Sequence, residues 1–337
     1  MFPLVSVIMP AYNAERFIRR SLQSLLRQTY QNMEIVVVND GSTDHTADIV
    51  RVFSDPHTRH IYQDNRGLGG ARNRGILESR GEYVTFLDAD DMYLAKNVEL
   101  QVEFLESHAE YDAIFCNPLA YYSEAPDRLL RLRQDYVSYS SDMFRYFLEF
   151  SVNPNTLMYR RSVFDAGLRF PDGTRGRYGE DRPLYLRMCK AGFKFGHFNK
   201  DLVIVGINTG GVGTWENQWN LYINKIKLLE EVFSDMTDAE AALYQKDKIM
   251  LQQSLKLALS CLIKRDKQAF YALLPQTSLK PFTWLLKGVL FFMPSHILRN
   301  IIITTGEIRR KHFYSLCSEK DHPSLYEEFR ALRGLAR

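Results

Sequence analysis

Short apolar runs and longer amphipathic stretches alternate along the first ninety or so residues. Residues 4–9 form a β-branched apolar run that predicts a buried strand. In residues 14–29, Phe17, Ile18, Leu22, Leu25 and Leu26 fall on one helical face. Residues 34–38 predict a second buried strand, and a helix is expected from Ser42 or Thr43 to Phe53. A third strand is predicted at 60–63, a helix at 68–79 and a fourth strand at 83–87. Strands alternating with helices predict an α/β fold with a mostly parallel sheet, right-handed crossovers and helices on its faces. In such sheets ligands bind outside the carboxyl ends of the strands. Tyr12 and Asn13, Asp40, and the acids from Asp88 to Asp91 all follow predicted strand ends, so the chemistry is expected there.

The middle of the chain is mixed. Residues 113–116, 156–159 and 202–207 predict strands, and 182–190 a helix stopped by Gly192. From Trp215 onward the pattern is helical, and this tail is net basic where the preceding residues are net acidic. That change marks a domain at 1–215 and a C-terminal helical module at 216–337. Apolar residues 282–293 and 297–303 are too short and too interrupted to span a bilayer, and Pro294 divides them. Beside Arg309, Arg310 and Lys311 they suit attachment to an anionic membrane surface. They suit an oligomer interface or a self-packed bundle equally well.

Composition narrows the classes. The chain has 337 residues, 45% hydrophobic and 25% charged, which is globular rather than disordered or fibrous. A net charge of +3 argues against a nucleic-acid partner. Aromatics reach 13%, and their flat faces can stack on a base or a sugar. Cys116, Cys189, Cys261 and Cys317 are scattered without CxxC spacing, which weighs against zinc or dithiol chemistry. They are expected to be reduced, in a cytoplasmic protein with peripheral contact to the inner face of the membrane as one role for the tail. Residues 1–11 read as a strand, not a signal peptide.

Four polar constellations carry candidate chemistry. Asp88-Ala89-Asp90-Asp91 follows a buried strand, and clustered carboxylates repel unless a cation sits among them. Hard oxygen ligands favour Mg²⁺ or Mn²⁺ sharing a substrate diphosphate; the run also suits a solvated helix cap. Asn39-Asp40-Gly41-Ser42-Thr43-Asp44 offers a carboxylate to a base or ribose, or simply a tight turn. Asn65 through Gly75 is glycine-rich and places Arg72 as a donor fork. The turn after the first strand lacks glycine, so a dinucleotide fingerprint is excluded. Glu180-Asp181 opens a helix, where the dipole holds a carboxylate ionised as a base or as a plain first-turn acid.

These runs, with Val5 to Asn13, occur in the order and spacing of a known family. Over residues 4–215 the chain resembles a family 2 glycosyltransferase with a GT-A fold. The resemblance implies an inverting, metal-dependent transferase that uses a nucleotide-sugar, usually a UDP-sugar, and needs Mn²⁺ or Mg²⁺. It assigns Pro10 and Tyr12 to the nucleoside pocket, Glu15 to the ribose and Asp40 to the uracil edge. Asn65 and Arg72 would complete that pocket, Asp88 would lie near the ribose or sugar, and Asp90 would bind the metal. Asp181 would be the catalytic base, supported by Glu180. The acceptor would be a glycan or a lipid-linked glycan of surface polysaccharide synthesis. Many members carry a basic loop downstream that reaches the diphosphate; here residues 205–214 are glycine-rich and lack a basic side chain. Arg175 and Arg177 are candidates for binding an anionic acceptor or phosphate, or are solvated loop charges. Two rival classes are a non-catalytic sugar-nucleotide or glycan binding module and a sugar nucleotidyltransferase.

Overall fold

β1 (Val5–Ala11) is buried along its whole length, as a parallel strand covered on both faces must be. It lies between β2 (Met33–Asn39) and β4 (Tyr83–Phe86), parallel to both, and β2 pairs in parallel with β3 (Thr58–Tyr62). Val5, Val7 and Met9 share a buried cluster with Ile18, Leu22 and Leu25 of α1 (Ile18–Leu26) and Val50 of α2 (Thr46–Val52). Alternation along the strand sends Ile8 to the opposite face. There α3 (Gly67–Glu78) passes so close that a Cβ on Gly75 would fall 2.2 Å from Ile8 Cγ2. Only glycine permits that approach.

The computed structural model describes residues 2–53, 57–122, 125–132, 136, 141–172, 180–207, 218–263, 314–317, 319–320 and 322–334. Beyond β4 the sheet turns largely antiparallel. β8 (Leu157–Arg160) pairs with β4 and with β6 (Ala113–Tyr122), and β7 (Ala125–Leu132) pairs with β6, all antiparallel. β9 (Phe195–Ile207) runs parallel to β6 and carries the short β5 (Met92–Tyr93) antiparallel. The continuous parallel run is β3, β2, β1 and β4, and β9 adds a further parallel pairing with β6, whereas β6 and β7 are directly successive strands paired without an intervening crossover helix. α4 (Asn97–Ser107) adds Val98, Val102 and Leu105 to the α1 side of the core. α5 (Met143–Glu149), α6 (Ser162–Asp165) and α7 (Asp181–Lys190) complete the helices before β9. The sheet and its helices form the mixed α/β architecture that the resemblance implies.

The chain divides into two compact units. Met1–Gly176, Glu180–Ile207 and Ser315–Arg337 form one, and Arg177–Gly179 with Asn208–Tyr314 form the other. The described residues of the second unit are chiefly the helices α8 (Gln218–Ser234), α9 (Asp238–Leu243) and α10 (Lys246–Ile263). β10 (Tyr314–Cys317) neighbours β7 in the sheet, and α11 (Pro323–Gly334) follows. Tyr326, Phe329 and Leu332 of α11 are buried against Leu119, Tyr121, Leu129 and Ile204 of the sheet unit. Glu328 of α11 also accepts a hydrogen bond from the Ala95 N–H. The sequence reading grouped these last residues with the helical module; their apolar face places them with the sheet. Residues 282–293, 297–303 and 309–311 lie outside the described residues, as do Arg175, Arg177 and the glycine-rich stretch 208–214. No described helix is long and apolar enough to cross a membrane.

Candidate active site

The strand order reverses about β1, so the carboxyl ends of β1, β2 and β4 flank a crevice. Tyr12 leaves β1 with 52% of its surface exposed, an aromatic face open to a ligand. Pro10 is buried in β1 opposite Val38. Asn13 takes a left-handed conformation (φ 49°), and its Oδ1 accepts from Thr43 N at 2.9 Å. Glu15 Oε2 accepts from His45 N at 3.0 Å, and Glu15 N donates to Asp44 Oδ2 at 3.1 Å. One oxygen of Glu15, the predicted ribose contact, is therefore committed to lacing the β1 loop to the β2 loop.

Asp40 is buried, and its two oxygens accept three hydrogen bonds: from Gln63 Nε2 (2.7 Å), Arg66 N (2.8 Å) and Gly67 N (2.9 Å). Arg66, at the N-terminus of α3, offers no side-chain cap of its own. Asp40 supplies that cap from a neighbouring strand end. Gly41, at φ 77°, presses against the Asn65 backbone, whose N would lie 3.0 Å from a Cβ. Asp40 and the segment carrying Asn65 are thus fastened together.

The acidic run sits over β4. Asp88 N donates to Asn155 Oδ1 at 3.1 Å, and Asp88 Oδ2 accepts from Asn155 Nδ2 at 3.3 Å. Asn155 Nδ2 also donates to Asp91 Oδ2, and Asp91 Oδ1 accepts from Gly206 N at 3.0 Å. Asp91 is the anchor of the run, tying it to β9. Burial, with Asp90 and Asp88 adding, raises its pKa well above the usual carboxylate value. Burial, then the Asp88 charge, pushes the Asp90 carboxyl up to about 6. Arg20 Nη2 donates to the Asp90 carbonyl at 3.0 Å. Among the described residues no group of three or more His, Cys, Asp or Glu side chains is arranged to hold a metal ion.

Arg72 joins this run to the Glu180-Asp181 pair. It is 1% exposed, with Nη2 on Asp88 Oδ1 at 2.9 Å and Nη1 on Glu180 Oε1 at 3.0 Å. Its guanidinium also lies 5.3 Å from the Phe170 ring centroid. Burial opposes its charge, but Asp88 and Glu180 more than offset that and raise its pKa. Both Nη groups are spent on carboxylates. Arg72 therefore bridges Asp88 and Glu180. Glu180 keeps a raised pKa despite the ion pair, because burial and the adjacent Asp181 outweigh Arg72. Asp181 opens α7 and accepts from Ser151 Oγ through Oδ2.

Asn155, Ser151 and Arg20 were not picked out from the sequence. Asn153-Pro154 was the available signal for Asn155: the fixed φ of proline opens the 3₁₀ turn Pro154–Thr156 that presents it. Ser151 and Arg20 carry no motif; contacts with distant acids define them.

Residues 6–168 match the family described as "Glycosyl transferase family 2". Glycosyltransferase GlyA of Streptococcus pneumoniae is 34% identical over 230 residues, 64% of this chain and 32% of that protein. The uncharacterized glycosyltransferase EpsJ of Bacillus subtilis is 34% identical over 198 residues, 55% of this chain and 56% of its own length. The chain therefore spans between about a third and somewhat over half of these relatives. Among solved structures, S. aureus TarS in complex with UDP-GlcNAc shares the fold at a TM-score of 0.55 and 22% identity, covering 73% of this chain and 70% of that one. The mannosyltransferase PcManGT from Pyrobaculum calidifontis, in complex with GDP-Man and Mn²⁺, gives a TM-score of 0.58 at 17% identity, covering 100% and 86%.

Proposed function

Residues 6–168 belong to glycosyl transferase family 2, and from that premise we propose an inverting transfer of a sugar from a UDP-sugar to a hydroxyl of a glycan or lipid-linked acceptor. The observation that supports this best is the chain Asp88–Arg72–Glu180, which couples the acidic run to the pair bearing the base. Tyr12 offers a stacking face for the base of the nucleotide, and Asp40 keeps the loops around it in register. Asp181 takes the proton of the acceptor hydroxyl as its oxygen attacks the anomeric carbon. The bond from that carbon to the diphosphate breaks from the opposite face, through a transition state of oxocarbenium character. One displacement without a covalent intermediate inverts the centre.

A divalent cation fits the acidic run in its chemistry. Asp90 is a desolvated oxygen ligand beside a second carboxylate, and Mn²⁺ or Mg²⁺ would offset the cost of both conditions. With one protein carboxylate, the remaining ligands would come from the diphosphate and water. Held there, the ion would neutralise charge developing on the leaving group.

Incubation with a panel of nucleotide sugars and Mn²⁺, followed by product analysis, tests the reading. Free UDP with a glycosylated acceptor is expected. Pyrophosphate release would point instead to a nucleotidyltransferase, and binding without turnover to a recognition module.

A further inference from the structure

α7 carries a second buried arginine directly after the proposed base. Arg182 is 8% exposed, and its Nη1 is buried without a hydrogen-bond partner. Among the described residues no acid forms an ion pair with it. The other buried arginine, Arg72, has a buried Nε without a partner but spends its two Nη nitrogens on carboxylates. Half-buried Arg160 donates to two carbonyls and the Tyr83 hydroxyl, and half-buried Arg161 to two carbonyls and Ser79 Oγ. Burial pushes the Arg182 pKa down to about 10, against the opposing charges of Asp181 and Tyr146. Removing a cation from water without a matched acceptor is costly, so a buried guanidinium with no ion pair calls for a partner from outside the chain, such as a ligand or water.

We propose that Arg182 is a specificity-determining residue that binds an oxyanion, a carboxylate or a phosphate, carried by the acceptor near its reacting hydroxyl. The proposal rests on the reading of Asp181 as the base. Three features support it. The Asp181 charge acts on Arg182, so the two side chains lie within electrostatic reach of each other. No hydrogen bond or ion pair joins Asp181 to the guanidinium among the described residues; the bond Asp181 makes is with Ser151. The planar fork of arginine matches two oxygens of a carboxylate or phosphate at once, which a neutral sugar does not offer.

The thermal midpoint of the full chain, read with and without inorganic phosphate, tests the site independently of turnover. Phosphate is expected to raise the wild-type midpoint. Arg182→Met should abolish that shift, and Arg182→Lys, which keeps the charge, should retain part of it. Without phosphate, Arg182→Met is expected to melt higher than wild type, since it removes a buried charge without breaking a bond. Transfer is then compared between a neutral glycoside and its 6-carboxylate and 6-phosphate counterparts. Wild type should prefer an anionic acceptor by ~10-fold or more, as a charge-assisted pair implies, and Arg182→Met should lose the preference through the acceptor KM. A phosphate shift that persists in Arg182→Met, or a lower midpoint in Arg182→Met with no anion preference in wild type, would overturn the proposal. If Asp181→Asn kept full transfer, the base assignment would fall while the phosphate measurement still decided the role of Arg182.

Discussion

Two arginines flank the Glu180-Asp181 pair, both buried and both beside acids, and the protein treats them in opposite ways. Arg72 is held by Asp88 and Glu180, and its charge is stabilised. Arg182 lacks such partners, and its charge is penalised. The first is a closed element of the fold; the second is open to a ligand. Burial alone does not separate structural from functional charges. The count of matched partners does.

The largest expected effect comes from breaking the closed member. Arg72→Met leaves the partly exposed Asp88 and the largely buried Glu180 without their shared cation, at a cost of about 3–5 kcal/mol. Urea unfolding should register this as a lower midpoint at an unchanged slope. A variant as stable as wild type would mean that Asp88 and Glu180 do not depend on Arg72, and the contrast with Arg182 would collapse.

Next comes the acidic run. Asp90→Asn should lower transfer by ~10²–10³-fold, the usual size of one charge-stabilising contact at a leaving group. Transfer in EDTA equal to that in Mn²⁺ would remove the metal from the proposal. The stability difference between this variant and wild type should depend on pH. In the folded chain Asp90 titrates at about 6, against 3.8 as its ordinary value. Between those values the folded state binds more protons, so its stability falls as pH rises from about 4 to 6. The cost is full above 6, so in metal-free buffer Asp90→Asn should melt higher than wild type at pH 7.5 and about equally below pH 4.

Asp181→Asn removes the proton acceptor while preserving shape and the bond from Ser151. Transfer should fall by ~10²-fold, the lower end of general base catalysis, with donor KM and thermal midpoint little changed. Near-normal transfer would move the base to another acid.

The comparison of the arginines also marks how far sequence reasoning reaches. β1, β2 and β4 were legible because apolar runs buried on both faces have few other solutions, and their ends located the acidic run and Asp40. α4 went unread: Lys96 stands where a capping Ser or Asp would announce a helix, and only its apolar spacing remained. β7 was missed because its alternation with polar residues is short. Arg72 and Arg182 look alike as letters. What separates them is the acids contributed by β4 and the α7 N-terminus, contacts 16 and 108 residues from Arg72 in sequence. Periodicity does not encode such pairings.

The smallest effect concerns Asp40, the clearest polar anchor on the donor side. If its main duty is to cap α3, Asp40→Asn loses the anionic acceptor for Arg66 N and Gly67 N but keeps one oxygen. A loss of about 1 kcal/mol of stability is expected, as for a helix cap. If Asp40 also reads the uracil edge, donor affinity should fall by more than this structural cost. Its two oxygens already accept three hydrogen bonds, which leaves limited capacity for a base N–H. The fold thus predicts a variant whose thermal midpoint drops while the KM for the UDP-sugar stays within about threefold, a factor worth roughly 0.6–0.7 kcal/mol. A KM that rises tenfold at an unchanged midpoint would reverse the assignment. Asp40 would then join Arg182 as a charge kept for a ligand, not Arg72 as a charge closed within the chain.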